Sequence, residues 1–524
     1  MPSASPAERH VGAATVARIL GRWSLPGPGY VALADGLRRC VLDGTLPLWS
    51  RMPSERDLAA ALGVSRTTTS AAYQRLRELG FLVTRRGSGS VTTLPGGRRH
   101  QVGALVADES DDDAGGPGRL VDLTMAAPSA PTELHHASVR ALEALPRHLS
   151  GTGYTYLGLP ALRAALAERY TRRGTPTRPD EILVTSGAQP ALSLLTGTLA
   201  GPGDRIVLEH PTYPNTIGAV RAVSARPVPV PVGAHGVDVD LLESAVRQTA
   251  PRLVHLTPDH HNPTGTSLDE DARERVRRLA EKHRTLVVGD ETLTDLTLDG
   301  PAPSSFTGPV TRATLVTVGS ASKTFWGGLR VGWIRGHRDL VARLAAERAH
   351  HDISTALLDQ LVLVELLEVE DQVLATRRAE LRERRDALVA ALTREVPWRV
   401  TVPAGGLCLW VDLGAPVSSA LAAVAPRYGV RTVPGPIFGV DGSFESRLRL
   451  PFCLPVEDLE QGVSRLATAW AAVAPDDAPA AGGARGTRHG ESGPTADAGM
   501  PAAADDPTEL TVPAPPFVGA GAVV

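Results

Sequence analysis

From Leu120 onward the chain alternates short apolar runs with amphipathic helical stretches, and this pattern constrains the fold more than any other feature. Apolar β runs separated by helices indicate an α/β domain built on a mainly parallel sheet. In such sheets ligands collect beyond the carboxyl ends of the strands. The suggestive polar residues fall at those ends. Glu181-Ile-Leu-Val-Thr185 leads into Ser186-Gly187-Ala188-Gln189, which opens a helix with free backbone donors suited to a phosphate. A run ending at Glu209 leads to His-Pro-Thr-Tyr213-Pro, where Tyr213 can stack on an aromatic ligand. The run Leu253-Val-His-Leu-Thr257 precedes Pro-Asp-His-His-Asn262-Pro-Thr-Gly, where Asn262 can hydrogen-bond a phenolic oxygen. Leu286-Val-Val-Gly289 ends on Asp290, a carboxylate costly to hold there without a partner. A protonated pyridine nitrogen supplies such a partner.

The stretch Thr317-Val-Gly-Ser320-Ala-Ser322-Lys323-Thr-Phe-Trp-Gly-Gly-Leu-Arg330 narrows the chemistry. Of 54 basic residues only Lys282 and Lys323 are lysines. Arginine stays protonated, whereas a desolvated lysine loses its proton and attacks aldehydes. Lys282 sits in the polar run Ala-Glu-Lys-His-Arg and needs only solvation. Lys323 follows an apolar strand and is flanked by Ser320, Ser322, Gly327, Gly328 and Arg330, whose guanidinium suits a phosphate. A Schiff-base lysine beside a phosphate clamp describes pyridoxal phosphate chemistry.

Ser-x-Ser-Lys-x-x-x-x-Gly-Leu-Arg-x-Gly, with the strand-end residues before it, resembles fold-type I aminotransferases over residues 120–473. The resemblance implies a large mainly parallel-sheet domain and a smaller α+β C-terminal subdomain. It implies that Gly187, Ala188, Ser320 and Arg330 hold the phosphate of pyridoxal 5'-phosphate, that Tyr213 stacks on its ring and that Asn262 meets the ring hydroxyl. Asp290 would meet the ring nitrogen and Lys323 form the internal aldimine, the pair making up the catalytic residues. Tyr154 matches a tyrosine that reaches the neighbouring subunit's cofactor, which implies a homodimer. Arg449, in Leu-Arg-Leu-Pro-Phe, matches the arginine that receives an α-carboxylate. One departure stands out. Relatives place a tyrosine two or three positions after the aspartate, where this chain has Thr292 and Leu293.

The first hundred residues are different in character. They hold 14 arginines, no lysine and six acidic residues, on a chain whose net charge is -3. A basic end on an acidic body points to nucleic acid at that end. A short helix is expected around Ala14–Trp23. Leu33, Leu37, Cys40 and Val41 then recur at helical spacing. Ser54 and Gly63 bracket a second short helix as N-cap and C-cap, with Asp57 at the capping-box position. Ser65 caps the next, Arg66 to Gly80. Two short helices across a glycine turn form a helix-turn-helix, and Phe81–Thr92 adds two β runs about a Gly-Ser-Gly tip, a wing. Pro-Ser-Glu-Arg-x-Leu-Ala, then Leu-Gly-Val-Ser-Arg-Thr-Thr and Arg-Arg-Gly-Ser-Gly, resemble the GntR-type winged helix. Arg66, Thr67 and Thr68 are placed to read a major groove. Arg56, Arg85, Gly87 and Gly89 suit backbone or minor-groove contact.

The expected organisation is an N-terminal extension (1–29), the winged helix (30–94), a flexible linker (95–118), the aminotransferase-like domain (119–473) and a disordered tail (474–524). No apolar run is long enough for a membrane span. Three scattered cysteines have no metal or disulfide spacing, so no metal is expected and a reducing cytoplasm fits. A GntR-type head on an aminotransferase-like body resembles the MocR subgroup of transcription regulators. That implies an operator-binding protein sensing pyridoxal phosphate or an amino compound. The second reading is a working aminotransferase with an accessory DNA-binding domain.

Overall fold

The computed structural model describes residues 9–21, 29–42, 45–46, 50–85, 89–92, 120–308 and 314–474. The expected linker and all but the first residue of the expected tail lie outside these, as does Gly87 of the wing.

The head follows its caps. Ser54 Oγ accepts from Asp57 N at 3.1 Å and starts the helix Glu55–Leu62, which ends at Gly63 in the left-handed region (φ 66°). Ser65 does the same for Thr68 N and starts Arg66–Glu78. An ion pair between Arg77 and Glu55 (3.0 Å) joins the two helices. The wing strands Leu82–Arg85 and Gly89–Thr92 pair antiparallel.

Two elements that precede the expected boundary at Tyr30 pack with this unit. The helix Ala13–Leu20 buries Val16 and Leu20 in one core with Leu33, Leu37, Leu58, Tyr73 and Leu76. The strand Arg9–His10 pairs with Ser50–Arg51 at the edge of the wing sheet. The helix matches the one expected around Ala14–Trp23, but two buried side chains in eight residues do not say which core they join.

The body contains an eight-stranded sheet in the spatial order 182–185, 332–335, 315–320, 286–290, 253–256, 205–210, 226–233, 236–237. It is mainly parallel. Strand Gly332–Arg335 runs antiparallel to both neighbours, and Gly236–Val237 is antiparallel to Arg226–Gly233. Central strands such as Leu315–Ser320 are buried along their whole length, as unbroken apolar runs between two helix layers should be. A smaller subdomain packs Cys408–Asp412 and Arg447–Pro451 against the helix Val456–Ala471 and the long helix Glu370–Glu395. Val121 and Leu123 join that same core, so the chain enters the body through the small subdomain. Among the described residues no helix is long and apolar enough to cross a membrane.

Between Lys323 and the long helix lies a buried ionic cluster. Arg169 contacts Asp295 (2.5 Å) and Glu370 (2.7 Å), Arg173 contacts both carboxylates, and Thr324 donates to Asp295 at 2.8 Å. Burial alone would push the Asp295 carboxyl up, but Arg169 and Arg173 hold it well below the usual range. Nearby Glu291 behaves oppositely. Burial raises its carboxyl from 4.5 to about 7, against hydrogen bonds from Ser305 and the Phe306 amide. The unfolded chain releases this proton near 4.5, the fold only near 7, so the contribution to stability is whole below 4.5 and lost as pH rises through 7. Urea unfolding midpoints should fall between about pH 5 and about pH 8, and Glu291→Gln should flatten that fall.

Candidate cofactor and effector site

The strand-end residues converge at the carboxyl edge of the large sheet. Lys323 lies in the short helix Ala321–Thr324 directly after strand Leu315–Ser320. Its Nζ donates to the carbonyl of Ala126 at 2.7 Å, and burial lowers its pKa, which favours the neutral amine.

Asp290 ends strand Leu286–Asp290 and is 7% exposed. One carboxylate oxygen accepts from Thr292 N at 3.0 Å, and the other lies 4.0 Å from His255 Nε2. No arginine pairs with Asp290 among the described residues, so its free acceptor capacity points into the site. His255 is 2% exposed, burial lowers its pKa, and neither ring nitrogen has a hydrogen-bond partner. A second buried pair, His261 and Glu209 (3.3 Å), lies beside it.

Gly187 and Arg330, expected to border a phosphate, lie close together, with Gly332 beside them. Gly187 adopts φ 115° as N-cap of the helix Ala188–Leu199, and a Cβ there would fall 2.7 Å from the Arg330 guanidinium. Any side chain at Gly332 would strike the Gly187 carbonyl carbon and Ala188 N, at 2.6 and 2.8 Å. Glycine is required at both positions to bring helix N-terminus and arginine together. Arg330 donates to Ser186 O at 3.2 Å. Ser320 Oγ accepts from Ser322 N at 3.1 Å and keeps its own proton to donate, while Ser322 Oγ is buried without a partner. Gly328 differs from expectation, because its backbone is covered by the Trp326 ring rather than left open to a ligand.

Tyr213 N-caps the helix Pro214–Ala222, and its hydroxyl accepts from Asn215 at 2.7 Å. Burial raises its pKa, with Asp290, Arg449 and Arg330 all close enough to act on it. Asn262 Oδ1 lies 3.8 Å from Cys408 Sγ, the thiol of the facing small-subdomain strand. Arg449 is 1% exposed, lies over the Phe438 ring at 5.2 Å and donates to the Thr124 carbonyl. Its Nε has no partner. A buried guanidinium with an open donor and no carboxylate suits an incoming anion. Tyr154 stands apart at 57% exposed, with Tyr156 equally exposed on the same loop. Thr292 supplies only a backbone donor to Asp290, and Leu293 is buried in the small-subdomain core. Neither side chain takes the place of the relatives' tyrosine.

In the head, Arg56, Arg66 and Thr67 are exposed, and Thr68 is half-buried. Ser65 Oγ lies within 2.7 and 2.8 Å of the two threonine hydroxyls. Arg85 ends a wing strand, and Gly89 begins the other beside the Arg51 guanidinium.

Four groups were not singled out from sequence. His255 is a polar interruption in an apolar strand, a signal that was present and passed over. Cys408 and the Thr124 and Ala126 carbonyls carry no local signal at all.

The desolvated amine, buried carboxylate, glycine-lined cup and open guanidinium fit pyridoxal 5'-phosphate, and comparison with known proteins agrees. Residues 123–466 match the aminotransferase class I and II family, and residues 30–91 match the bacterial regulatory proteins of the gntR family. The 2-aminoadipate transaminase of Thermus thermophilus is 34% identical over 322 residues, covering 60% of this chain and 79% of that one. The HTH-type transcriptional regulator YisV of Bacillus subtilis is 27% identical over 456 residues, 82% of this chain and 93% of its own. The probable rhizopine catabolism regulatory protein MocR of Rhizobium meliloti is 30% identical over 332 residues, 59% and 65% of the two chains. The structure of LysN, the α-aminoadipate aminotransferase of T. thermophilus complexed with N-(5'-phosphopyridoxyl)-L-leucine, superposes with a TM-score of 0.62 at 30% identity, covering 67% of this chain and 92% of that one. The body's cofactor is thus pyridoxal 5'-phosphate. The chain belongs to the aminotransferase class I and II family, and its GntR-type head makes it a regulator of the MocR type.

Proposed function

We propose that this regulator senses an amino compound, or the cofactor itself, through the body and reports it through the head. The observation that carries this reading is Arg449, a buried guanidinium whose Nε lacks a partner, in the same site as the desolvated amine of Lys323. Pyridoxal phosphate supplies an aldehyde that reacts with amines and a ring that withdraws electrons. The chain's own residues do the rest. Lys323 would hold the cofactor covalently, and Asp290 would accept from the ring nitrogen, with His255 behind it. Asn262 would meet the ring oxygen and Tyr213 would stack on the ring. Gly187, Ala188, Ser320 and Arg330 would hold the phosphate. Arg449 would receive the carboxylate of the amino compound. Tyr154 completes the site of a second subunit, which accounts for an exposed aromatic ring on a glycine-flanked loop.

The head would bind operator DNA as part of that dimer. Arg66, Thr67 and Thr68 enter the major groove, while Arg56, Arg85 and the wing from Gly87 to Gly89 hold the backbone. Arg66→Ala should weaken binding to a selected operator by about 1–3 kcal/mol and relax base preference at one position. Gel-shift titration of the full chain against an oligonucleotide library measures both, and unchanged preference would reject Arg66 as a base reader.

One observation favours turnover as a second reading. Lys323, Asp290 and Arg449, which transamination requires, are brought together in one site. The absorbance of the bound cofactor, followed with amino acids and a keto acid, separates the two. A spectral change that stalls after the amino compound binds supports sensing, and repeated cycles support an enzyme. The absence of a tyrosine at Thr292 and Leu293 favours the stall.

A further inference from the structure

Two basic side chains of the site, Arg449 and Lys323, grip one piece of chain. Arg449 donates to the Thr124 carbonyl and Lys323 to the Ala126 carbonyl, two residues on. A second arginine, Arg377, donates to Ser129 O at 2.7 Å. This segment leaves the small subdomain at Leu123, which is fully buried there, and joins the large domain at the helix Glu133–Ala144, which buries Ala137 and Ala141. It therefore crosses from one subdomain to the other, and Met125, between the two gripped carbonyls, is 48% exposed.

The bonds that hold it are replaceable ones. A carbonyl is a neutral acceptor, whereas a carboxylate forms charge-assisted, often bidentate bonds to guanidinium that are roughly twice as strong. Arg449 keeps Nε open and gives only Nη2 to Thr124, so an incoming carboxylate competes for this guanidinium on better terms. An amine bound covalently to a cofactor cannot also serve Ala126 as it does here.

We infer that residues 124–130 form a strap that a carboxylate at Arg449 displaces, and that its release changes the seating of the small subdomain. The consequence lies upstream. Val121 and Asp122 pair with Val430 and Arg431 of that subdomain, immediately after the stretch that leads from the head. A shift there moves the anchor of the DNA-binding unit, so the strap converts ligand arrival into a change at the head's point of attachment. The inference rests on the sensing reading above and adds its transmitting element.

The test compares two ligands that differ by one carboxylate, N-(5'-phosphopyridoxyl)glycine and pyridoxamine phosphate. Met125→Cys in the full chain accepts an environment-sensitive fluorophore, and Cys40, Cys408 and Cys453 are buried from it. The adduct should shift the emission of the label and pyridoxamine phosphate should leave it nearly unchanged, with both shown bound by calorimetry. In Arg449→Gln the adduct should lose its shift. Should that variant fail to fold, the comparison of ligands in the parent chain decides alone. Both ligands bound with equal shifts, or with none, would overturn the strap. Failure of either ligand to bind would instead remove the cofactor reading beneath it.

Discussion

Lys323→Ala is expected to abolish all covalent retention of pyridoxal phosphate and, with it, the visible absorbance of the dialysed protein. The effect should be complete because the chain has one other lysine, and that lysine is badly placed. Lys282 lies on an exposed helix face, paired with Glu243 at 2.9 Å. Lys323 is desolvated, lowered in pKa and supplied with a phosphate cup and a ring partner. A retained band in the variant would reject the assignment of Lys323. The fold should survive, since Lys323 makes one hydrogen bond and no ion pair among the described residues. Unfolding midpoints of variant and parent should therefore nearly coincide.

Asp295→Ala should have the largest effect on stability, about 3–5 kcal/mol, as expected when one partner leaves a buried ionic group. Asp295 touches Arg169 and Arg173 and receives Thr324, the residue after Lys323. Removing it leaves Glu370 alone to balance two arginines, one of them almost fully enclosed. A surface ion pair would lose little. The shift in urea midpoint of the large transition measures this, and a loss below about 1 kcal/mol would mean the cluster relaxes into water. The same variant should loosen the cofactor, because Thr324 no longer fixes the helix that carries Lys323.

Most of the site was legible because its residues sit at strand ends. A buried apolar run that stops at Asp290, Ser186 or Asn262 announces a polar group with a task, and the sheet brings such ends together without further information. The head was legible for a different reason. Ser54, Gly63 and Ser65 act locally, through hydrogen bonds spanning three residues or a backbone angle, so sequence alone fixes them. Two kinds of feature were not visible. A short helix near Ala13–Leu20 was expected, but its packing on the head depends on a core made by residues farther along the chain. The strap depends on carbonyls of Thr124 and Ala126, atoms that every residue has and no sequence distinguishes. Tyr154 lies between these cases. Its motif is plain, but its partner belongs to another subunit.

The central claim is that an aldehyde cofactor is held by one lysine in the body of a DNA-binding regulator. Loading the full chain with pyridoxal phosphate, fixing it with borohydride and sequencing the peptides by mass spectrometry tests this directly. The account predicts phosphopyridoxyl on the peptide containing Lys323 and none on that containing Lys282. Label on Lys282 alone, or on neither, would contradict it.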